Sequence, residues 1–159
     1  MLYVDSSALV KHYIREVGTD LLNAKLHEQS RHHFSVFVSM LAYAEILAAF
    51  ARRLRENLLT TSEASRLFHH FQDEWRFELH HVELTTGVLG FIPRLVSDYP
   101  LRGPDAIHLA SALSVQNSLQ LGPQSGTTPA IITFASSDKQ LKNAASAEGL
   151  AVFDPESTP

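Results

Sequence analysis

The chain is predicted to be an α/β protein, a three-layer α/β/α sandwich around a central, mainly parallel sheet. Short apolar runs rich in Val, Ile and Phe ("LYVD", "HFSVFVS", "FELHHVEL", "AIITF", "LAVF") alternate with longer segments of helical spacing. Strands separated by helices pair in parallel, with helices covering both faces. At 159 residues and 45% hydrophobic, the chain fills one core and is too short for two ordinary domains. Residues 1–153 are therefore expected to form a single domain, followed by a polar tail, 154–159, that frays.

"LYVD" is a strand that ends in an acid. Behind it, "SSALVKHYIRE" changes to helical spacing, with Leu9, Tyr13 and Val17 at i, i+4 and i+8. A second amphipathic helix is expected at 19–29 and a second strand at 33–39. Ser39 then starts a long helix, "MLAYAEILAAFARRLREN", and "TTSEASRLFHHFQDEW" makes another before the strand "FELHHVEL". "TTGVLGFIPRLVSDY" reads as a helix bent or interrupted near Pro93, which lacks a backbone N–H. "LRGPDAIHLASAL" opens a helix with Pro104 at its start and Asp105 in its first turn. The stretch from Ser118 to Pro129 reads as a long loop, "AIITF" as the most strongly buried strand, and "SSDKQLKNAASAEG" as a helix closed by Gly149. "LAVF" is the last strand.

No stretch reaches the roughly 18 uninterrupted apolar residues of a membrane span. The opening "MLYVDSSALVKHY" has an acid where a signal peptide has a basic end and an apolar run. A soluble, cytoplasmic protein is expected, with no membrane partner. The chain has no cysteine, which removes disulfides, thiolate metal sites and cysteine nucleophiles together. Its formal net charge of −4 is not the field of a strongly basic nucleic-acid binder. Positive charge is nevertheless uneven: Arg52, Arg53 and Arg55 cluster, and Arg102 stands just ahead of Asp105. Such a cluster is either a solvated helix end or a phosphate contact.

Acids fall where strands hand over to helices, the place where ligands collect in open α/β sheets. Asp5 ends the first strand, and Asp138 follows "AIITF" at the start of the next helix. Each also has a structural reading: Asp5 as a helix cap, and "SDKQ" as a capping box whose first turn accommodates Asp138. Glu45 has no such reading. Its helical neighbours Leu41, Ala42, Ala48 and Ala49 are apolar, and Arg52 lies about 10 Å along the axis. A carboxylate on an apolar face calls for a partner from elsewhere, a metal or a subunit surface. Asp105 shares its face with Leu109 and Ala112 and also points inward.

Two unit charges near 4 Å repel by about 4 kcal/mol at an effective dielectric of about 20. Four acids gathered at one sheet edge therefore need protons or a hard divalent cation, and an all-oxygen site suits Mg²⁺ or Mn²⁺. By the same reasoning, Glu45→Gln or Asp105→Asn is expected to raise the melting temperature of the metal-free protein.

Four segments carry a family resemblance: "YVDSSALVKHYIREVG", "VSMLAYAEILAAFARRLRE", "YPLRGPDAIHLASAL" and "TFASSDKQLKNAASAEGLAVF". Together they run nearly end to end, and the chain resembles a PIN-domain ribonuclease, among these the VapC-like toxins of toxin-antitoxin pairs. The resemblance implies a PIN-like fold and Mg²⁺- or Mn²⁺-dependent cleavage of RNA, with Asp5, Glu45, Asp105 and Asp138 as catalytic metal ligands. It implies that Ser7 and Ser136 steady ligands or water by hydrogen bonding, although Ser7 stands where many relatives have asparagine. It further implies a homodimer and a cognate antitoxin that places a cation or bulky side chain in the acidic site. With RNA as substrate, Arg52, Arg53 and Arg102 become candidate phosphate contacts.

The nine histidines, including the doublets His32/His33, His69/His70 and His80/His81, show no HExxH spacing and are not read as metal ligands. His108 is expected at the surface or in a subunit contact, and Phe68, Phe71 and Trp75 in packing. Two other readings stay open. A Mg²⁺-dependent phosphatase would want an aspartate where Ser7 stands, and a degenerate PIN domain would act as a binding module.

Overall fold

In the first strand, β1 (Leu2–Val4), all three side chains are fully buried, although neighbours on a strand point to opposite faces. Both faces of the sheet are therefore covered, as parallel sheets require. Leu2 and Val4 enter one apolar cluster with Leu9, Leu22, Val38, Ile46 and Phe71. Tyr3 enters a second with Leu95, Leu109, Phe134 and Leu141. The structure is a computed structural model and describes residues 1–32, 35–121 and 131–157.

After β1 the order is α1 (Ser6–Tyr13), α2 (Thr19–Arg31), β2 (Val36–Ser39), α3 (Leu41–Arg55), α4 (Thr61–Phe77), β3 (Leu79–Val82) and α5 (Thr86–Leu89). Then follow α6 (Ile92–Asp98), α7 (Gly103–Leu121), β4 (Thr133–Ala135), α8 (Lys139–Ala147) and β5 (Ala151–Phe153). The five strands are all parallel, in the order β3-β2-β1-β4-β5. The chain builds outward from β1 to β3, then crosses back and builds the other way through β4 to β5. Parallel crossovers are right-handed, so the reversal sends α1–α4 to one face and α5–α8 to the other, matching the two clusters. It also creates a topological switch point between β1 and β4, where the crevice beyond the strand ends receives ligands in sheets of this kind.

The predicted sandwich is the observed one, with local differences. The 85–99 segment breaks at Gly90 and Phe91 rather than at Pro93. Pro93 sits in the first turn of α6, where its missing N–H is no loss. Ser39 closes β2 instead of opening α3, although its Oγ accepts from the Leu41 N–H at 3.3 Å. Ser118 to Leu121 belong to α7, and the remainder of the expected loop, 122–129, lies outside the described residues. Phe71 and Trp75 are buried as expected, whereas Phe68 is exposed. Among the described residues, no helix is long and apolar enough to cross a membrane.

The described part of the tail, 154–157, packs against the domain. Where fraying is expected, Asp154 pairs with Lys142, Pro155 is buried, and Glu156 lies 2.7 Å from the buried Lys11 ammonium. Gly18, at φ 92°, comes so close that a Cβ there would sit 2.6 Å from the Pro155 carbonyl oxygen. A buried ammonium needs counter-charges, and residues 154–157 bring one to it. Truncation after Phe153 is expected to lower Tm by about 2–8 °C, the equivalent of roughly 1–2 kcal/mol at this chain length. Circular dichroism melting checks this, and an unchanged Tm would detach the tail from the fold.

Candidate functional site

Asp5 is the residue after β1 and the N-cap of α1. Its Oδ1 accepts from the Ala8 N–H at 2.8 Å, which satisfies one of the unpaired amides of the first helical turn. Ser7 Oγ reaches both carboxylate oxygens, at 2.9 and 2.8 Å, and Ser136 Oγ donates to Oδ2 at 2.7 Å. Ser136 in turn accepts from the Asp138 N–H at 3.0 Å, and Ser7 accepts from the Ser137 N–H at 3.0 Å. The loops after β1 and β4 are thus stitched together across the switch point. Ser7 and Ser136 both converge on Asp5.

Only 2% of Asp5 is exposed. Burial pushes its pKa up from the ordinary 3.8, and the nearby His108, Ser136, the Ala8 amide and Ser7 do not cancel that push. Among the described residues its hydrogen-bonding partners are hydroxyls and an amide, all neutral, and none places a cation in direct contact with the ionised form.

Glu45, on α3, does have a partner from elsewhere. Its Oε2 accepts from Ser6 Oγ at 2.7 Å and lies 2.8 Å from His108 Nε2 on α7. Nδ1 of the same imidazole lies 3.0 Å from the Tyr3 hydroxyl. Burial drives the Tyr3 pKa far upward, so its hydroxyl stays protonated. It can therefore donate to Nδ1 while Nε2–H donates to Glu45, the assignment that satisfies all three groups. Burial acts to raise the Glu45 pKa, but the hydrogen bonds from His108 and Ser6 outweigh it and hold the pKa below its usual value. His108 is 2% exposed. The expectation of a surface or subunit-contact histidine is corrected, because its helix turns it onto Tyr3 beneath the sheet edge. Glycine- or acid-based motif reading gave no sign of this residue; its one local clue is its place a turn after Asp105 within an apolar helix.

Asp138 is the N-cap of α8, accepting from the Leu141 N–H at 2.7 Å, and so takes the capping position expected of Ser137. Asp105 is half-buried in the first turn of α7, one turn before His108, and its Oδ2 accepts from the Arg102 N–H at 3.2 Å. The structure thus joins Asp5 to Asp138 through Ser136, and joins Glu45 to α7 through His108. It does not close the four carboxylates into a cage: among the described residues, the one trio of possible ligands within 4.8 Å of one another lies elsewhere. The donor set is nonetheless all oxygen, and a buried carboxylate with only neutral partners suits a hard divalent ion.

Of the arginines, Arg102 is exposed beside Asp105. Arg52 and Arg53 lie seven and eight residues beyond Glu45, about 10 Å further along α3 and away from the acid edge. Arg53 forms an ion pair with Glu16.

An all-parallel five-stranded sandwich with acids at its switch point is the PIN-like arrangement. No family model matches the chain. Over 115 residues, 72% of this chain and 76% of each relative, it is 37% identical to Ribonuclease VapC45 of Mycobacterium tuberculosis (strain CDC 1551 / Oshkosh) and to Ribonuclease VapC49 of Mycobacterium tuberculosis (strain ATCC 25618 / H37Rv). The chain belongs to the VapC ribonuclease family. Solved structures share its fold. FitAB bound to the IR36 DNA fragment superposes with a TM-score of 0.69 at 16% identity, covering 100% of this chain and 98% of that one. VapBC2 from Rickettsia felis, bound to a DNA fragment from its promoter, gives 0.65 at 10% identity, covering 97% and 98%. FitAcB from Neisseria gonorrhoeae gives 0.60 at 15% identity, covering 98% of each.

The pairing of Glu45 reverses one sequence-based expectation. Glu45→Gln replaces a charge-assisted contact by a neutral one and is expected to lower stability by about 1 kcal/mol in chelator. Denaturant titration measures it, and a rise would mean that crowding outweighs the pairing.

Asp5 behaves oppositely. A carboxyl with a raised folded-state pKa favours the native state most below about pH 3.8, and that contribution falls as pH rises through the folded pKa. Asp5→Asn keeps the capping oxygen, so in chelator it is expected to raise Tm by a few degrees at neutral pH and not below pH 3.8. Melting across this pH range checks the sign; a gain of equal size at both ends would remove ionisation as its cause.

Proposed function

We propose that this protein is a metal-dependent endoribonuclease, the toxin of a toxin-antitoxin pair, which hydrolyses RNA phosphodiesters at the edge between β1 and β4. The observation that carries this reading is a buried carboxylate, Asp5, at the switch point of a chain that belongs to the VapC ribonuclease family. In this reading Asp5, Glu45, Asp105 and Asp138 hold Mg²⁺ or Mn²⁺. A bound ion of this kind supplies charge neutralisation at the phosphodiester and lowers the pKa of attacking water.

The chain's own residues supply position. Ser7 and Ser136 fix both oxygens of Asp5, and the Leu141 amide fixes one oxygen of Asp138. His108 and Ser6 hold Glu45 Oε2 at the same edge. The N-termini of α1, α7 and α8 all face that edge, so their dipoles favour carboxylate and phosphate charge there. In this reading Arg102, exposed beside Asp105, is the candidate phosphate contact. A cognate antitoxin is part of the proposal, supported by solved neighbours that are VapBC2 and FitAB, and so is a homodimeric state.

The test is RNA cleavage with Mg²⁺, with chelator, and with the Glu45→Gln and Asp105→Asn variants side by side. Chelator and each substitution are expected to cut the rate by at least ~100-fold, the scale on which losing one preorganised charge-stabilising group acts. Full activity in chelator would sink the metal, and full activity in a variant would take that residue out of the site.

A further inference from the structure

We infer that a second metal site, for a late first-row divalent ion such as Zn²⁺, lies at the opposite edge of the sheet, formed by His12 of α1 with His70 and Glu74 of α4. It is independent of the proposed nuclease reading. His12 and Asp5 sit at opposite ends of α1. The neighbouring cavity, about 570 Å³, is lined by Ser35, Val36, Leu79 and His80 at the beginnings of β2 and β3, whereas the acids follow the strand ends.

The geometry is that of a three-ligand site. His70 and Glu74 are four residues apart and share one face of α4. Glu74 Oε1 lies 3.0 Å from His12 Nε2 and 3.5 Å from His70 Nε2, and all three ligand atoms fall within 4.8 Å of one another. Tetrahedral Zn²⁺ with bonds of 2.0–2.1 Å separates its ligands by about 3.3 Å, and two of the three edges lie within about 0.3 Å of that. Two imidazoles and one carboxylate are also a ligand set that suits zinc and not magnesium.

The residues behind the ligands are in place as well. His12 Nδ1 lies 2.7 Å from Asn23 Oδ1, which can only accept, so Nδ1 carries the proton and Nε2 is the ring nitrogen turned toward the site. The Tyr13 hydroxyl donates to Glu74 Oε2 at 2.5 Å, leaving Oε1 toward the two histidines. An ordinary ion pair between His12 and Glu74 needs neither His70 nor this orientation of both partners. His12 and Glu74 also line the cavity, which leaves a fourth position for water.

The test is Zn²⁺ titration of the full chain by calorimetry in excess Mg²⁺, together with thermal melting. One equivalent is expected to bind, and a hundredfold excess over Kd is expected to raise Tm by about 5–10 °C at this chain length. His70→Gln, at an exposed position, is expected to leave the metal-free Tm unchanged and to weaken Zn²⁺ binding by at least ~10-fold, and Asn23→Ala to weaken it by ~10–100-fold. Asp5→Asn is expected to bind Zn²⁺ as the parent does. Absence of saturable binding, undiminished binding in His70→Gln, or loss of binding in Asp5→Asn would each overturn the site.

Discussion

The buried carboxylate of Asp5 is the constraint around which the carboxyl edge of the sheet is organised. Three different parts of the chain converge on it: the first turn of α1 through the Ala8 amide and Ser7, the end of β4 through Ser136, and, at longer range, His108 of α7. A carboxylate out of water must be hydrogen-bonded or charge-compensated. Here the hydroxyls and amide do the first, while the second is left open. The same serines carry the contact onward to the backbone of Ser137 and Asp138, so the start of α8 is set by the group that sets the start of α1.

A second network clasps the two helical layers over the end of β1. Tyr3 packs on the α5–α8 side, whereas Glu45 comes from α3 and Ser6 from α1 on the other side. His108 bridges them, with one ring nitrogen toward each. The two acids therefore differ in electrostatic character. Glu45 has an imidazole partner and remains easily ionised, while Asp5 has neutral donors and resists ionisation. Pairs of carboxyls whose surroundings push their pKa values apart are a recurrent property of catalytic sites.

Much of this was legible in the sequence. The alternation of apolar strands and amphipathic helices specified a covered parallel sheet, and the acids at strand-to-helix joints marked the edge at which Asp5 and Asp138 lie. Glu45 stood out because its helical neighbours are apolar, and the demand for a partner from elsewhere was met by Ser6 and His108. What periodicity could not supply was the identity of those partners. A helical or strand repeat states which face a side chain occupies within its own element, and says nothing of the element it meets.

That limit separates the two kinds of knowledge about this chain. Composition, spacing and motif words determined the fold class, the family resemblance and the order of the four acids, because these depend on local propensity and on residues near one another in sequence. Tertiary structure alone decided that His108, 63 residues from Glu45 and 105 from Tyr3, is buried between them. It decided that Arg53 faces Glu16 and not the acid edge, and that a tail expected to fray covers Lys11. It also brought His12 within reach of Glu74, 62 residues away, beside His70. Each is a meeting of side chains from separate elements, and the position of such a meeting is set by the right-handed crossovers and the reversal of strand order between β1 and β4.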